Sequence, residues 1–414
     1  MTDPAIGLPV YTVLPFVAML LAIAVLPLWV PGWWEHNRNK LLLSAMLGLP
    51  VLALYLVRQP SALLHVAEDY VSFIVLLAGL YVISGGVLLR GDLVATPAVN
   101  ATFLAGGALL ASLVGTTGAS MLLIRPLLQT NRERRHTVHT VVFFIFLVSN
   151  VGGMLTPLGD PPLFLGYLVG VPFTWTLRLW PHWLLMVGAL LVVYVLWDSM
   201  AYARESVEAL RRDRVQIEPL RVRGTLNAVW LLGVVAAVVL LHAPLREVAI
   251  VALAALSLWE TPGAVRRANR FTIDPMVEVA VLFAGIFLTM LPAIELLRTR
   301  GGELGVREPW QFFWATGLLS SFLDNAPTYV TFLALAQGLG LAREVVGVPA
   351  SLLAAISVGA VAMGANTYIG NAPNFMVKAI AEEAGVKMPS FLGYLLYSGA
   401  VLIPLFVLVT LVFF

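Results

Sequence analysis

Ser149-Asn-Val-Gly-Gly-Met-Leu-Thr-Pro-Leu-Gly-Asp-Pro-Pro162 follows an apolar run and cannot continue the helix that enters it. Its glycines and prolines interrupt the backbone hydrogen-bond ladder, while Ser149, Asn150, Thr156 and Asp160 bring side-chain oxygens to the interruption. A little over 200 residues later Gly364-Ala-Asn-Thr-Tyr-Ile-Gly-Asn-Ala-Pro373 repeats the design, with Gly370-Asn371-Ala372-Pro373 over Gly159-Asp160-Pro161-Pro162. Inside hydrocarbon such a break survives only where protein or an aqueous cavity satisfies the freed N–H and C=O groups. Two matched breaks therefore point to a buried, polar functional centre rather than to a pair of kinks.

The surroundings are those of a membrane protein. The 414 residues are 60% hydrophobic and 12% charged, with mean hydropathy +0.90, against about a quarter charged for soluble chains. Apolar runs recur from Leu8 to Val30, Leu41 to Val57, Tyr70 to Leu89, Val141 to Val148 and Phe173 to Trp197. They return from Thr225 to Leu241, Val248 to Trp259, Met276 to Leu297, Ser351 to Met363 and Phe391 to Phe414. Most approach the roughly 20 residues that cross about 30 Å of hydrocarbon. Asp3 precedes the first run and the first cation is Arg38, so no basic signal-peptide region is expected and the run is read as a retained span.

The absence of cysteine excludes disulfides and thiolate metal sites. A net charge of +2 gives no ground for a nucleic-acid partner. The tryptophans at Trp33, Trp34, Trp180 and Trp183 fit interfacial belts. Loop cations gather at Arg38 and Lys40, Arg90, Arg132 to Arg135, Arg204 to Arg223 and Arg266 to Arg270. Placing these loops in the cytoplasm threads ten spans, provided the segments near residues 100–130 and 308–340 are re-entrant hairpins. Arg298, Arg300 and Arg307 fall on the other side, partly balanced by Glu303 and Glu308.

The match between halves extends beyond the breaks. Phe73-Ile-Val-Leu-Leu-Ala-Gly-Leu-Tyr81 aligns with Val279-Ala-Val-Leu-Phe-Ala-Gly-Ile-Phe287, and the polar turn Gly115-Thr-Thr-Gly-Ala-Ser120 with Leu323-Asp-Asn-Ala-Pro-Thr328. Corresponding elements lie five spans apart, an odd number, so the second copy enters the membrane inverted. The expected organisation is a first repeat over residues 1–200, with hairpin 99–130 and broken helix 137–170. A charged linker over 201–224 forms a short surface helix. A second repeat over 225–414 carries hairpin 308–340 and broken helix 347–384. The fold class is all-α integral membrane: an inverted-repeat secondary transporter with about ten transmembrane helices, two re-entrant hairpins and two unwound helices.

Intramembrane carboxylates are costly and point to an ion or proton path. Asp160 and Asp324 lie in the breaks, where each also suits a helix cap. Glu278 lies nearer the membrane edge, and Arg125 follows the first hairpin tip, where it pairs with a carboxylate or snorkels. His136 and His139, beside Arg134 and Arg135, read as a solvated basic surface rather than a metal or catalytic pair.

At Thr116-Thr-Gly-Ala-Ser-Met-Leu-Leu-Ile-Arg-Pro126, Ser149-Asn-Val-Gly-Gly153 with Gly159-Asp-Pro-Pro162, Asp324-Asn-Ala-Pro-Thr328 and Gly370-Asn-Ala-Pro-Asn374, the sequence resembles the ion transporter superfamily. Within it the likeness is to citrate-transporter-like proteins labelled sodium:proton antiporters, related to D-type Na⁺/H⁺ antiporters. The resemblance covers nearly the whole chain. It implies a scaffold, a moving transport domain, and a homodimer in a bacterial inner membrane. By position, the hairpin tips contribute Thr116, Thr117, Ser120, Asp324, Asn325 and Thr328, and the unwound helices Ser149, Asn150, Asp160, Asn366, Thr367 and Asn371. Na⁺ is expected at Asn150, Asp324, Asn325 and Asn371, with Asp160, Asp324 and Glu278 as the candidates for the proton carrier and no cofactor. Dicarboxylate relatives carry Ser-Asn-Thr at both tips; here the tips are Thr-Thr-Gly and Asp-Asn-Ala. Asp324 would repel a carboxylate substrate unless protonated or bridged by a cation.

The leading expectation is therefore Na⁺/H⁺ antiport by competition at an aspartate. Cation-coupled uptake of citrate or another small carboxylate is the alternative, and an arsenite-type efflux carrier a more distant one. An intramembrane enzyme is disfavoured, since His-Glu-x-x-His, Gly-x-Ser-x-Gly and a cysteine nucleophile are all missing from the sequence. A purely structural membrane protein leaves the paired breaks without a reason.

Overall fold

A computed structural model describes residues 8–215, 217–341 and 344–414, the side chain of Leu28 apart; Asp3 lies outside the described residues. The first half contains α1 (Leu14–Trp29), the short α2 (Pro31–Trp34), α3 (Asn37–Arg58) and α4 (Pro60–Ser84). A helical hairpin of α5 (Pro97–Val114) and α6 (Thr116–Thr130) follows. Next come a broken helix of α7 (Val138–Leu147) and α8 (Pro161–Leu168), and then α9 (Trp180–Tyr202). The linker holds α10 (Val207–Val215). The second half runs through α11 (Leu226–Leu240), α12 (Leu245–Glu260), the short α13 (Gly263–Ala268) and α14 (Asp274–Arg300). It then repeats the sequence of parts: hairpin α15 (Pro309–Ser320) and α16 (Asn325–Gly338), broken helix α17 (Ala350–Met363) and α18 (Ala372–Glu383), and α19 (Phe391–Phe413).

Among the described residues, eight helical stretches are long and apolar enough to cross a membrane, and the protein is an all-α integral membrane protein. One of the eight is α5, an arm of the first hairpin. Conversely α11 and α12, with 15 and 16 residues, fall short of full span length, and α17 is cut by its break. With α5 set aside, α1, α3, α4, α7 and α9 remain in the first half and α14 and α19 in the second; α11, α12 and the broken helix α17–α18 take the places in the order of parts that α1, α3 and α7–α8 hold in the first half.

Local sequence sets the ends of these pieces. Thr96 caps α5 by accepting from the Val99 N–H, with Pro97 in the first turn. The chain reverses at Gly115, where φ is +84°, a conformation that a residue with a Cβ rarely adopts. Glu308 and Gln311 form a capping box at the start of α15.

The broken helices occupy the centre. Residues Val141 to Val148 are all at most 1% exposed, as expected of a helix that is apolar on every face and surrounded by others. α17 is nearly as deeply enclosed and lies against α15 at close range. Gly359 makes that approach: a Cβ there would press on the Phe313 carbonyl.

α14 also settles the relative direction of the hairpins. Its 27 residues span about 40 Å. The base of the second hairpin meets its far end, where Arg298 Nε donates to Gln337. The base of the first lies at its near end: Thr130 accepts from the Leu93 N–H beside strand β1 (Leu88–Arg90), and Asn269 donates to the Gly85 and Val87 carbonyls. The hairpins therefore enter from opposite sides.

At the near end β1 pairs antiparallel with β2 (Arg221–Arg223), Leu88 opposite Arg223, tying the linker to the first half. The basic segment before α7 is not a solvated surface throughout. Arg134 and His139 are 5% and 4% exposed because Asp198 of α9 takes Arg134 Nη2 at 2.5 Å and His139 Nε2 at 2.8 Å. Trp34 is likewise buried, with Lys40 over its ring.

Two expectations follow. Arg132→Cys and Leu341→Cys, both exposed and each just beyond a hairpin, react with an impermeant maleimide from opposite faces of intact vesicles; labelling of both from one face would refute inversion. Asp92, between β1 and α5, is buried with one carboxylate oxygen lacking a partner. Burial, with the charges of Glu133 and Asp213, pushes its pKa up to about 6 from 3.8. An acid with a raised folded-state pKa holds more protons folded than unfolded, so its contribution to stability falls as pH rises through that window. Asp92→Asn should therefore raise the thermal midpoint at pH 7.5, with the gain vanishing near pH 4.

Candidate functional site

Four half-helices begin at one place. α6 starts at Thr116 and α16 at Asn325, and α8 and α18 start directly after Asp160 and Asn371, which hold matching extended backbones (φ −144°, ψ 141° and φ −152°, ψ 139°). The Asp160 carboxylate joins them. Its Oδ1 accepts from Thr116 Oγ1 at 2.9 Å and Asn371 Nδ2 at 3.3 Å, and its Oδ2 accepts from Asn325 Nδ2 at 2.6 Å. Both hairpin tips and both unwound helices thus meet on one side chain.

Asp160 makes no capping bond to its own helix, so the cap reading falls and the carboxylate is free to face the tips. Asp324 behaves in the opposite way. Its carboxylate accepts from the Ala326 N–H at 3.0 Å and its carbonyl from Thr328 Oγ1 at 2.9 Å, so it caps α16. It is half-buried.

Around this centre the amides interlock. Asn371 Nδ2 also donates to the Ser149 carbonyl at 3.1 Å and to Asn150 Oδ1 at 3.2 Å. Asn150 Nδ2 donates to the Ile145 carbonyl and to Asn374 Oδ1, and Asn374 Nδ2 to the Gly364 and Thr367 carbonyls freed by the break. Ser120 and Ser149 share a hydrogen bond of 2.8 Å between the first hairpin and the first broken helix.

The breaks are braced alike. Thr156 Oγ1 donates to the Ser112 carbonyl and accepts from the Leu158 N–H; Thr367 Oγ1 donates to the Ser321 carbonyl and accepts from Ile369. Asn366 adds a bond to Ser321 Oγ. Gly159 passes so close to the Gly153 carbonyl, and Gly370 to that of Gly364, that a Cβ at either would overlap.

Not every expected residue joins the cluster. Thr117 is half-buried with no hydrogen bond recorded to the centre, and Thr328 serves its own helix. Glu278 pairs with Lys40 of α3 at 2.7 Å, and no hydrogen bond connects it to Asp160. Arg125 has a buried Nη1 without a hydrogen-bond partner, so neither a carboxylate pair nor full snorkelling describes it. Asn374, Thr156 and Ser112 were not among the expected site residues. Asn374 carries the clearest signal, one turn beyond Asn371 on the same face.

The electrostatics are lopsided. Asp160 is 1% exposed, and among the described residues no Lys, Arg or His pairs with it. Four helix N-termini offer partial positive charge, but a carboxylate in an apolar body asks for a full compensating charge or a proton. The 1% exposed Asn325 adds an Oδ1 with no hydrogen-bond partner beside that carboxylate. An unused oxygen acceptor next to an unpaired carboxylate is suited to a small hard cation.

A family model described as "Putative citrate transport" matches residues 5–414, almost the entire chain. No curated protein gives a significant match.

The glycine crossings supply a test of the site's construction. Gly159→Ala or Gly370→Ala should each cost about 1–3 kcal/mol through forced backbone shifts, read as a lower unfolding midpoint in detergent. Gly399→Ala, where a Cβ meets nothing within 4 Å, should not lower it.

Proposed function

The chain belongs to the citrate transport family of secondary transporters, and from that premise we propose that it is a Na⁺/H⁺ antiporter in which Asp160 holds the proton and the cation in turn. The observation that carries the proposal is the buried Asp160 carboxylate, bonded to three neutral side chains and to no cationic one. Charge balance inside the membrane then admits two states, protonated or cation-bound. The two exclude each other, because the proton occupies a lone pair that the cation needs. Exchange follows if the hairpins and broken helices move as one body against α1, α3, α4, α11, α12 and α14, exposing Asp160 alternately to each side. Asp324 holds the tip of α16 in place and adds negative potential. Na⁺ is cargo here, and the oxygens facing it are those of Asp160 and Asn325. A homodimer, and a bacterial cell membrane as its place, belong to the same proposal and rest on the resemblance.

A second reading is cation-coupled uptake of citrate or a similar carboxylate. The family description favours it, as do four helix N-termini aimed at one point. In that case a cation on Asp160 would bridge to the substrate.

One assay separates them. In acid-loaded proteoliposomes with a luminal pH dye, Na⁺ or Li⁺ should alkalinise the lumen without citrate. Asp160→Asn, unable to titrate, should reduce this to the rate of protein-free vesicles at every pH. Asp324→Asn retains a capping oxygen and should keep exchange, with apparent Na⁺ affinity weakened by at most about tenfold, or about 1.4 kcal/mol. Loss of exchange in Asp324→Asn with full activity in Asp160→Asn would exchange their roles. Citrate-dependent Na⁺ flux that survives in Asp160→Asn would favour the second reading.

A further inference from the structure

Where α9 and α19 meet, near the end of α9, a pocket of about 330 Å³ opens outside the Asp160 centre. Arg135, His136, His139 and Arg204 supply its polar wall, and Trp197 and Tyr397 its aromatic one. No carboxylate lines it. The two aromatic rings lie 5.6 Å apart and nearly parallel, and His139 continues the stack on Trp197 at 6.1 Å.

The acids nearby are already committed. Asp198 is held by Arg134, His139 and Tyr194. Glu205 accepts from the backbone N–H groups of Arg135 and His136 and meets the His136 ring at 3.2 Å. Among the described residues, the guanidinium groups of Arg135 and Arg204 have no ion pair, and both side chains are exposed. Counting Arg134, Arg135 and Arg204 against Asp198 and Glu205, three positive charges face two negative ones before either histidine is protonated.

The flank of the pocket is apolar. Leu196 and Met200 on α9 are 62% and 59% exposed, and Leu396 on α19 is 76% exposed. Both helices are of membrane-spanning length, with His182 of α9 against Phe413 of α19 at their other ends. A ligand seated here therefore touches guanidinium and imidazole at one end and lipid-facing side chains at the other. Stacked aromatics at such a depth mark the membrane interface, and the surrounding loop belongs to the cation-rich side that the positive-inside rule assigns to the cytoplasm.

We propose that this pocket binds the phosphate of an anionic phospholipid headgroup, with Arg135 and Arg204 clamping its oxygens and the acyl chains lying along α9 and α19. Guanidinium forks match phosphate geometry, and basic pockets between spanning helices on this face suit such headgroups. A soluble phosphate would use the same cations but gain nothing from the apolar flank.

The test is native mass spectrometry of the detergent-purified full chain with added phosphatidylglycerol or phosphatidylcholine. Phosphatidylglycerol should be retained in preference. The double variant Arg135→Gln/Arg204→Gln should lower its retention at least tenfold without changing the unfolding midpoint in lipid-free detergent. Arg211→Gln/Arg212→Gln, which removes the same charge from exposed positions on α10, should retain it as the wild type does. Equal retention of both lipids, an equal loss in the α10 variant, or undiminished retention in the pocket variant would overturn the proposal. Displacement of the lipid by millimolar sodium phosphate would also overturn it and assign the cations to a soluble anion.

Discussion

A carboxylate enclosed in apolar protein, with no basic side chain to answer it, is the constraint around which this molecule is arranged. Among the described residues the Asp160 carboxylate is bonded only by Thr116, Asn325 and Asn371, and each of those residues stands at the start of a different half-helix. Remove the carboxylate and the four N-termini have no common partner. Remove the breaks and no backbone dipoles point at it. The unwound segments are costly in themselves, since every freed carbonyl in hydrocarbon needs a donor. Asn374, Thr156, Thr367 and Ser321 supply donors or bracing in both halves. The functional centre and the satisfaction of the backbone are one hydrogen-bond network.

The enclosure is built by close approach. Glycines at 153, 159, 359 and 370 let backbones pass at distances that a methyl group would forbid, which makes the central unit of hairpins and broken helices stiff. The outer helices meet it through apolar side chains such as Phe73 of α4, whose ring stacks on Phe164 of α8 with centroids 6.4 Å apart. Directional bonds inside the unit and non-directional contact around it are what rigid-body movement of the unit requires.

Much of this was legible before any coordinates. The Gly/Pro stretches, the duplicated order of parts and the odd number of intervening spans lead to hairpins, unwound helices and inversion. What the sequence hides is partnership at a distance. Asp160 and Asp324 look alike in a string of letters, each a polar residue at a break; only the meeting of residues 116, 160, 325 and 371 separates a junction from a cap. Thr156 reads only as one more oxygen at the first break, and nothing in the sequence says that its hydroxyl reaches Ser112 across the hairpin. His139 and Arg134 look solvated because their answering charge, Asp198, lies about 60 residues away. Span length misleads in both directions, for α5 is long enough to cross and turns back, while α11 and α12 are short.

The proposed competition between a proton and a cation at Asp160 can be tested without transport. Calorimetric titration of the detergent-solubilised protein with NaCl, repeated in buffers of differing ionisation enthalpy, reports the protons released per cation bound. Near neutral pH the account predicts that Na⁺ binding releases protons, approaching one per cation as pH falls, and that both the binding heat and the release vanish in Asp160→Asn. Na⁺ binding with no proton release in any buffer, or release that persists in Asp160→Asn, would contradict it.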